Sequence, residues 1–316
     1  MHEAGPGEPD DQPGGSAPSG DPTGSSPGPA GPQALVRLGT SSFSCADWVG
    51  PFYPEGTPPG AFLEHYARHF DAVEVDSTYY GLPRPSVVDG WARRTPSGFL
   101  LTAKFPRSIV HGGRGARPDA RFVLDPDATY EDRDLFVATM RRLGDRLGPL
   151  LLQFPYFNRS AFPSAGPFLE RLDRFLADLP RDGLRYAVEV RNKAWVTQRL
   201  LDLLARHDVS FVLVDQAWMP HGDELAARFD VVTAAPVYVR LLGDRAAIEA
   251  LTTTWEKEVI DHGERIERWA RLVVSFMQRG IKSLVFVNNH YAGHAPTTVR
   301  RLRAAIEAEA QRPRKH

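Results

Sequence analysis

Residues 186–195, YAVEVRNKAW, begin as a buried strand and then set charges inside it. Strand side chains alternate between two faces, so Val188 and Val190 share one face while Glu189 and Arg191 share the other. An unpaired buried charge costs several kcal/mol, so both groups must meet partners, water or a ligand. The rest of the chain decides what that second face looks into.

Seven similar runs accompany it: LVRLGTSS, AVEVDSTYY, FLLTAKF, PLLLQFP, VSFVLVD, PVYVRLL and SLVFVNN. All are rich in β-branched or aliphatic residues, and most end on a polar one. Helical patterns separate most of them. Phe62, Tyr66 and Phe70 form one apolar stripe, Phe136, Met140, Leu143 and Leu147 a second, and Phe168, Leu172, Phe175 and Leu179 a third. A helix is expected in AWVTQRLLDLLARH, another in IERWARLVVSFMQRG stopping at Gly280, and a last one opening at Pro296. Eight strands alternating with helices over roughly 280 residues predict an α/β fold, a single TIM-type (β/α)8 barrel over 34–310. The runner-up, an open doubly wound sheet, lacks its Gly-x-Gly-x-x-Gly turn after the first strand, and no Walker-type loop occurs. The stretches 105–130 and 243–262 are expected to be loop elaborations.

Residues 1–33 are Gly, Pro, Ser and Asp with almost no large apolar side chain. Such a segment cannot offset its ordering entropy by burial and is expected to be a disordered tail. The formal net charge of -1 argues against a global field for nucleic acid or anionic lipid. No apolar run reaches membrane-span length, no signal peptide opens the chain, and the one cysteine, Cys45, fits a reducing compartment. A cytoplasmic protein without a membrane partner is expected.

In such a barrel the C-terminal strand ends line the mouth where chemistry occurs. Alternation sends there Glu74 and Asp76, Lys104, Gln153, Glu189 and Arg191, Asp215, Arg240, and Asn288 and Asn289 before His290. Four carboxylates meeting three cations nearly neutralise each other. They could form an ion network that merely fills the barrel. A plain barrel interior is filled by Val, Ile and Leu, however, and buried ion pairs add little stability, so the cluster reads as a site. Glu189 or Asp215 is the expected general base, with Glu74 or His111 as partner acid. Lys104, Gln153, Arg191, Arg240, Asn288, Asn289 and His290 are the expected substrate-binding groups. Trp48, Tyr79 and Trp195 are expected to touch ligand from a rim that also holds Phe52, Tyr53, Tyr80, Tyr156, Phe157, Trp218 and Tyr291. For any single ring, packing over the mouth is the simpler reading. The turn NNHYAGHAPTT feeds a helix start that, with Arg240, Arg245 and His294, could receive phosphate.

Other candidates are weaker. His65 and His69 are four apart on a helix but flank its apolar stripe, and Cys45 has no histidine beside it in sequence. Metal binding through Glu189, Asp215 and a histidine is conceivable, but no spacing demands a metal or cofactor, and both are left unknown.

Several motifs together resemble the domain-of-unknown-function 72 family, the YecE-like proteins: LGTSSFSCADWVGPFYP, FDAVEVDSTYYGLPRP, WARRTPSGFLLTAKFP, LLLQFP, AVEVRNKAW, YVRLLG and VFVNNHYAGHAP. The resemblance covers about residues 35–306. It implies a TIM-type barrel and leaves activity, cofactor and substrate open. Its first motif more often reads Gly-Thr-Ser-Gly, where this chain has Ser42 after Ser41. Three functions then compete. The favoured one is an enzyme using carboxylate acid/base chemistry on a small anionic, sugar-like or nucleotide-like ligand. A nucleic-acid phosphodiester enzyme resembling barrel-type repair endonucleases, and a non-catalytic binding or scaffold protein, are the alternatives.

Overall fold

A computed structural model describes residues 35–113, 115 and 117–313. The tail expected over residues 1–33 lies outside the described residues. From Val36 onward the expected strands all form: β1 (Val36–Thr40), β2 (Ala72–Val75), β3 (Leu100–Lys104), β4 (Leu147–Gln153), β5 (Tyr186–Glu189), β6 (Val209–Gln216), β7 (Val237–Gly243) and β8 (Ser283–Val287). They pair in chain order into a closed parallel barrel, β8 returning to β1 with Val36 opposite Ser283 and Thr40 opposite Val287.

The helices are α1 (Phe62–Tyr66), α2 (Pro85–Arg93), α3 (Pro126–Met140), α4 (Ala165–Ala177), α5 (Gln198–Arg206), α6 (Gly222–Ala226), α7 (Arg245–Glu249), α8 (Gly263–Gln278), α9 (Asn289–Ala292) and α10 (Ala295–Ala310). The stripes read from the sequence face inward: Phe168, Leu172 and Phe175 of α4 are fully buried, as are Phe136 and Met140 of α3. The second stripe runs past α3 into a 3-10 segment, Arg141–Arg146, which is kinked at Gly144 by a positive φ of 58°. The two long loops carry structure of their own, a π-turn at Ser108–Gly112 and α7. Among the described residues no helix is long and apolar enough to cross a membrane.

Two backbone details shape the mouth. A Cβ on Gly39 would sit 1.8 Å from the carbonyl oxygen of Ala72, so only glycine lets β1 and β2 close at that height. Tyr66 locks the same seam, donating to the Ala72 carbonyl at 3.1 Å and accepting from the Thr40 amide at 2.7 Å. Three residues on, Ser42 adopts φ 137°, a left-handed value at the position where the family motif more often has glycine.

The barrel interior is stratified. Ala72, Leu151, Ala187, Val212, Tyr238, Leu284 and Phe286 form an apolar plug. The next inward positions toward the C-terminal ends include Glu74, Thr102, Lys104, Gln153, Glu189 and Arg240, all polar and buried, with Val214 of β6 beside Arg240 as an apolar member. The charged second face of residues 186–191 looks into that layer.

Candidate functional site

Arg240 is the hub of the polar layer. Its Nε and Nη2 donate to the two oxygens of Glu74 at 2.9 and 2.7 Å, a two-pronged match to the carboxylate. Its Nη1 donates to Gln153 Oε1 at 3.0 Å and to Glu189. Glu189 also accepts from Arg191 Nε at 3.0 Å. The Tyr238 hydroxyl donates to Glu74 at 2.7 Å and contacts Thr102 Oγ1 at 2.9 Å, while Lys104 Nζ stands 3.6 Å from Glu74. The interior positions of β2, β3, β4, β5 and β7 therefore meet in one connected unit.

That unit sets its own protonation. Burial alone would push the Glu74 carboxyl up, but the charges of Arg240 and Lys104, with hydrogen bonds from Arg240 and Tyr238, hold it at about 2. Glu189 is likewise held below the usual range against its burial by Arg240 and Arg191. Lys104 is pushed down, first by burial and then by the neighbouring Arg240 charge. Both glutamates are fixed anions fully engaged by protein donors. They position Arg240 and Arg191 and are poorly placed to exchange protons with a ligand.

Above this floor lies a cavity of 340 Å³, lined by Asp76, Tyr79, Lys104, Gln153, Arg191, Gln216, Arg240, Arg245, Asn288 and His290 among others. A second recess of 230 Å³ opens beside it, bounded by Ser41, Cys45, Trp48, Trp255 and Asn289 and sharing Asp76, Asn288 and His290. Asp76 is the carboxylate in both walls. It is half-buried, and among the described residues its side chain has no ion pair and no hydrogen bond to another residue. Burial raises its carboxyl, Lys104 partly counters the rise and Glu74 adds to it.

The structure brings most of the expected site residues together. Glu74, Lys104, Gln153, Glu189, Arg191 and Arg240 share the floor, and Tyr79, Asn288 and His290 join them in the cavity wall. Asn288 serves α9 too, accepting from the His290 amide at 2.9 Å and from its Nδ1 at 2.6 Å. His290 packs its ring against Trp255 at 4.7 Å. Trp48 and Asn289 line the second recess and bond to each other at 3.2 Å, with Trp48 only 1% exposed.

Four expectations are corrected. Asp215 faces outward: opposite Leu241 in register, it accepts from Trp269 Nε1 at 2.7 Å and pairs with Arg265, both on α8. The adjacent Gln216, beyond a register shift, takes the mouth position. His111 is buried in the π-turn, where burial and then the nearby Arg107 charge push its imidazole pKa down, and it is not in the cavity wall. Trp195 stacks on Phe168 at 4.8 Å and Phe157 at 6.0 Å, filling the space behind the mouth. The phosphate cradle does not assemble: Arg240 is consumed by two glutamates, Arg245 pairs with Glu249, and His294 caps its own helix through the Thr297 amide. Phe52, Tyr53, Phe157 and Tyr291 of the expected rim are also core residues.

The sequence reading assigned no role to Asp76 and overlooked Tyr238 and Gln216. Alternation from Arg240 would have turned Tyr238 inward; nothing in the sequence marks the shift that selects Gln216. Glu189 and Asp215 sit on opposite faces of the wall. Among the described residues no group of three or more His, Cys, Asp or Glu is placed to hold a metal ion.

Comparison with known proteins places these features in a family. Residues 37–316 match the family described as Protein of unknown function DUF72. The UPF0759 protein YecE of Escherichia coli K12 is 28% identical over 250 residues, covering 76% of this chain and 84% of that one. A DUF72 family protein of Thermotoga maritima superposes with a TM-score of 0.61 at 26% identity, over 86% of this chain and 99% of its own. A second, from Enterococcus faecalis, does so with a TM-score of 0.62 at 22% identity, covering 86% of this chain and 96% of its own, and supports the fold alone.

Proposed function

The chain belongs to the DUF72 family, and within that barrel we propose an enzyme that moves protons on a small hydroxylated or anionic substrate, with Asp76 as general base and Lys104 as its cationic partner. The observation that carries this reading is the contrast between carboxylates. Glu74 and Glu189 are held ionised by protein donors, whereas Asp76 lines the cavity with no hydrogen bond or ion pair to another described residue and with its carboxyl raised. Asp76 is displaced upward and Lys104 downward, each by burial first, which are the directions that favour proton exchange with a ligand. Arg191 and Asn288 would orient polar groups of the substrate, and Arg240, paired with Glu74 and Glu189, fixes the floor beneath them.

The sign of the Asp76 shift also supports a functional role over a structural one. A carboxyl raised in the folded protein contributes stability below its unfolded pKa, and that contribution is lost as pH rises through the folded pKa. At neutral pH its charge is a net burden on the fold, a pattern expected of a group kept for chemistry. The test is proton NMR in D2O with hydroxy acids, sugars and sugar phosphates that raise the thermal stability of the protein. Wild type should exchange a carbon-bound proton of a bound compound, and Asp76→Asn should lose that exchange while being at least as stable at pH 7. Exchange that survives in Asp76→Asn, or a panel in which no compound binds, overturns the proposal.

A further inference from the structure

Tyr156 and Trp218 are 60% and 49% exposed, and of the other rim aromatics only Tyr80, in the wall of the mouth cavity, is more exposed. They follow β4 and β6, the two neighbours of β5, so they stand on either side of the segment after β5 that carries Arg191 and Lys193. These four residues line a shallow recess of 390 Å³. The Trp218 indole is oriented by its N–H, which donates to the Arg191 carbonyl at 3.3 Å. Arg191 also lines the mouth cavity, so the two spaces meet at one side chain. Its Nε is held by Glu189, and its Nη atoms make no hydrogen bond to the described residues.

We propose that this recess is the ring-binding half of the active site and that the substrate is a nucleoside phosphate, its base against Tyr156 and Trp218 and its phosphate between Arg191 and Lys104. The proposal rests on the acid/base reading of the mouth and adds the substrate class. Two exposed aromatic faces beside a cavity suit a flat ring, and stacking accepts any base because every base has a π-face. The charged groups offered there are both cations, Arg191 and Lys193, with no carboxylate in the recess wall and the Tyr156 hydroxyl as its one neutral side-chain acceptor. That favours an electron-rich heterocycle and a phosphate over a free sugar, whose hydroxyls would want acceptors as well as donors.

Trp218 gives the test its signal. The full-length protein is titrated with AMP, UMP, adenosine, ribose 5-phosphate and inorganic phosphate, following tryptophan fluorescence and, in parallel, calorimetric binding. AMP and UMP should quench the emission. Trp218→Phe should abolish that quench while AMP still binds, since an aromatic face remains. Trp218→Ala and Tyr156→Ala should each weaken AMP about 5- to 100-fold and leave ribose 5-phosphate unchanged. Both side chains are exposed, so these variants should keep the wild-type melting temperature. If AMP binds no more tightly than ribose 5-phosphate, or both alanine variants hold AMP as wild type does, the ring subsite is refuted and the mouth reading survives. If neither compound binds, the nucleoside phosphate assignment is refuted, and the mouth reading stands or falls by its own proton-exchange test. Tighter binding of a short oligonucleotide than of AMP would overturn the mononucleotide assignment.

Discussion

Replacing Glu74 by Gln keeps the shape of the barrel floor and removes one charge from its centre. Each oxygen of Glu74 accepts from Arg240, Oε2 from Nε at 2.9 Å and Oε1 from Nη2 at 2.7 Å, and Oε2 also accepts from Tyr238. Whichever way the amide is turned, its NH2 faces an Arg240 N–H, donor against donor. Lys104, 3.6 Å away, loses its nearest counter-charge as well. Breaking a buried pair by neutralising one partner costs about 3–5 kcal/mol. A second route gives a similar size: a carboxyl brought from its ordinary 4.5 to about 2 corresponds to roughly 3 kcal/mol at about 1.4 kcal/mol per pH unit.

The pH dependence separates this cause from a packing defect. A folded pKa below the unfolded one gives stability that is present above the unfolded value and lost as pH falls through the folded one. Urea unfolding followed by circular dichroism should show Glu74→Gln about 3–5 kcal/mol less stable than wild type at pH 7, lowering the melting temperature by about 6–15 °C. The gap should narrow as pH falls from 4.5 toward 2. A loss under about 1 kcal/mol at pH 7, or a gap unchanged at pH 3, would refute the account of Glu74 as the fixed anion of the barrel floor.

Three further outcomes follow from the same geometry. Ser42→Gly relieves the φ of 137° at the end of β1 and should stabilise by about 1 kcal/mol, read as a higher melting temperature; a lower one would show that the Ser42 contacts outweigh the strain. Asp215→Asn weakens the bonds from Trp269 and Arg265 and should cost about 1–3 kcal/mol while leaving ligand affinity unchanged, because Asp215 faces α8; a tenfold change in affinity would return it to the site. Since Asp76 must be ionised to act as base and its carboxyl is raised, the rate of proton exchange should climb with pH through a midpoint above the ordinary aspartate range, and a midpoint at or below that range would remove Asp76 from the role.

The barrel was legible because its signals are local and repeated. Each strand announces itself as a short β-branched or aliphatic run, and most helices by an apolar stripe, so the closed order of eight needed no long-range information. The floor of the site was legible for a related reason. The period of two fixes which side chains share a face, and a charge within an apolar strand has few places to go, so Glu74, Lys104, Glu189 and Arg240 could be brought together before any coordinates. Trp195 and His111 lie beyond strand ends, where no period operates and packing decides the direction.

Asp215 fails for a subtler reason, and the contrast with Asp76 shows where function is written in such a barrel. Along VSFVLVD both faces are apolar, so no charge inside the strand reveals which of Val214 and Asp215 looks inward, and the shift before Gln216 alters the parity once more. Asp215 then finds its donors on α8 and becomes part of the wall. Asp76 sits one position beyond β2, on the same face as Glu74, where the strand has ended and no other described residue donates a hydrogen bond to its carboxylate. Buried carboxylates in this fold are identified by who holds them: Arg240 holds Glu74 and Glu189, Arg265 and Trp269 hold Asp215, and Asp76 is left facing the cavity. The charged floor is thus largely neutralised by its own pairs, and the proposed proton transfer is assigned to Asp76 above it, with Lys104 at the edge of the floor.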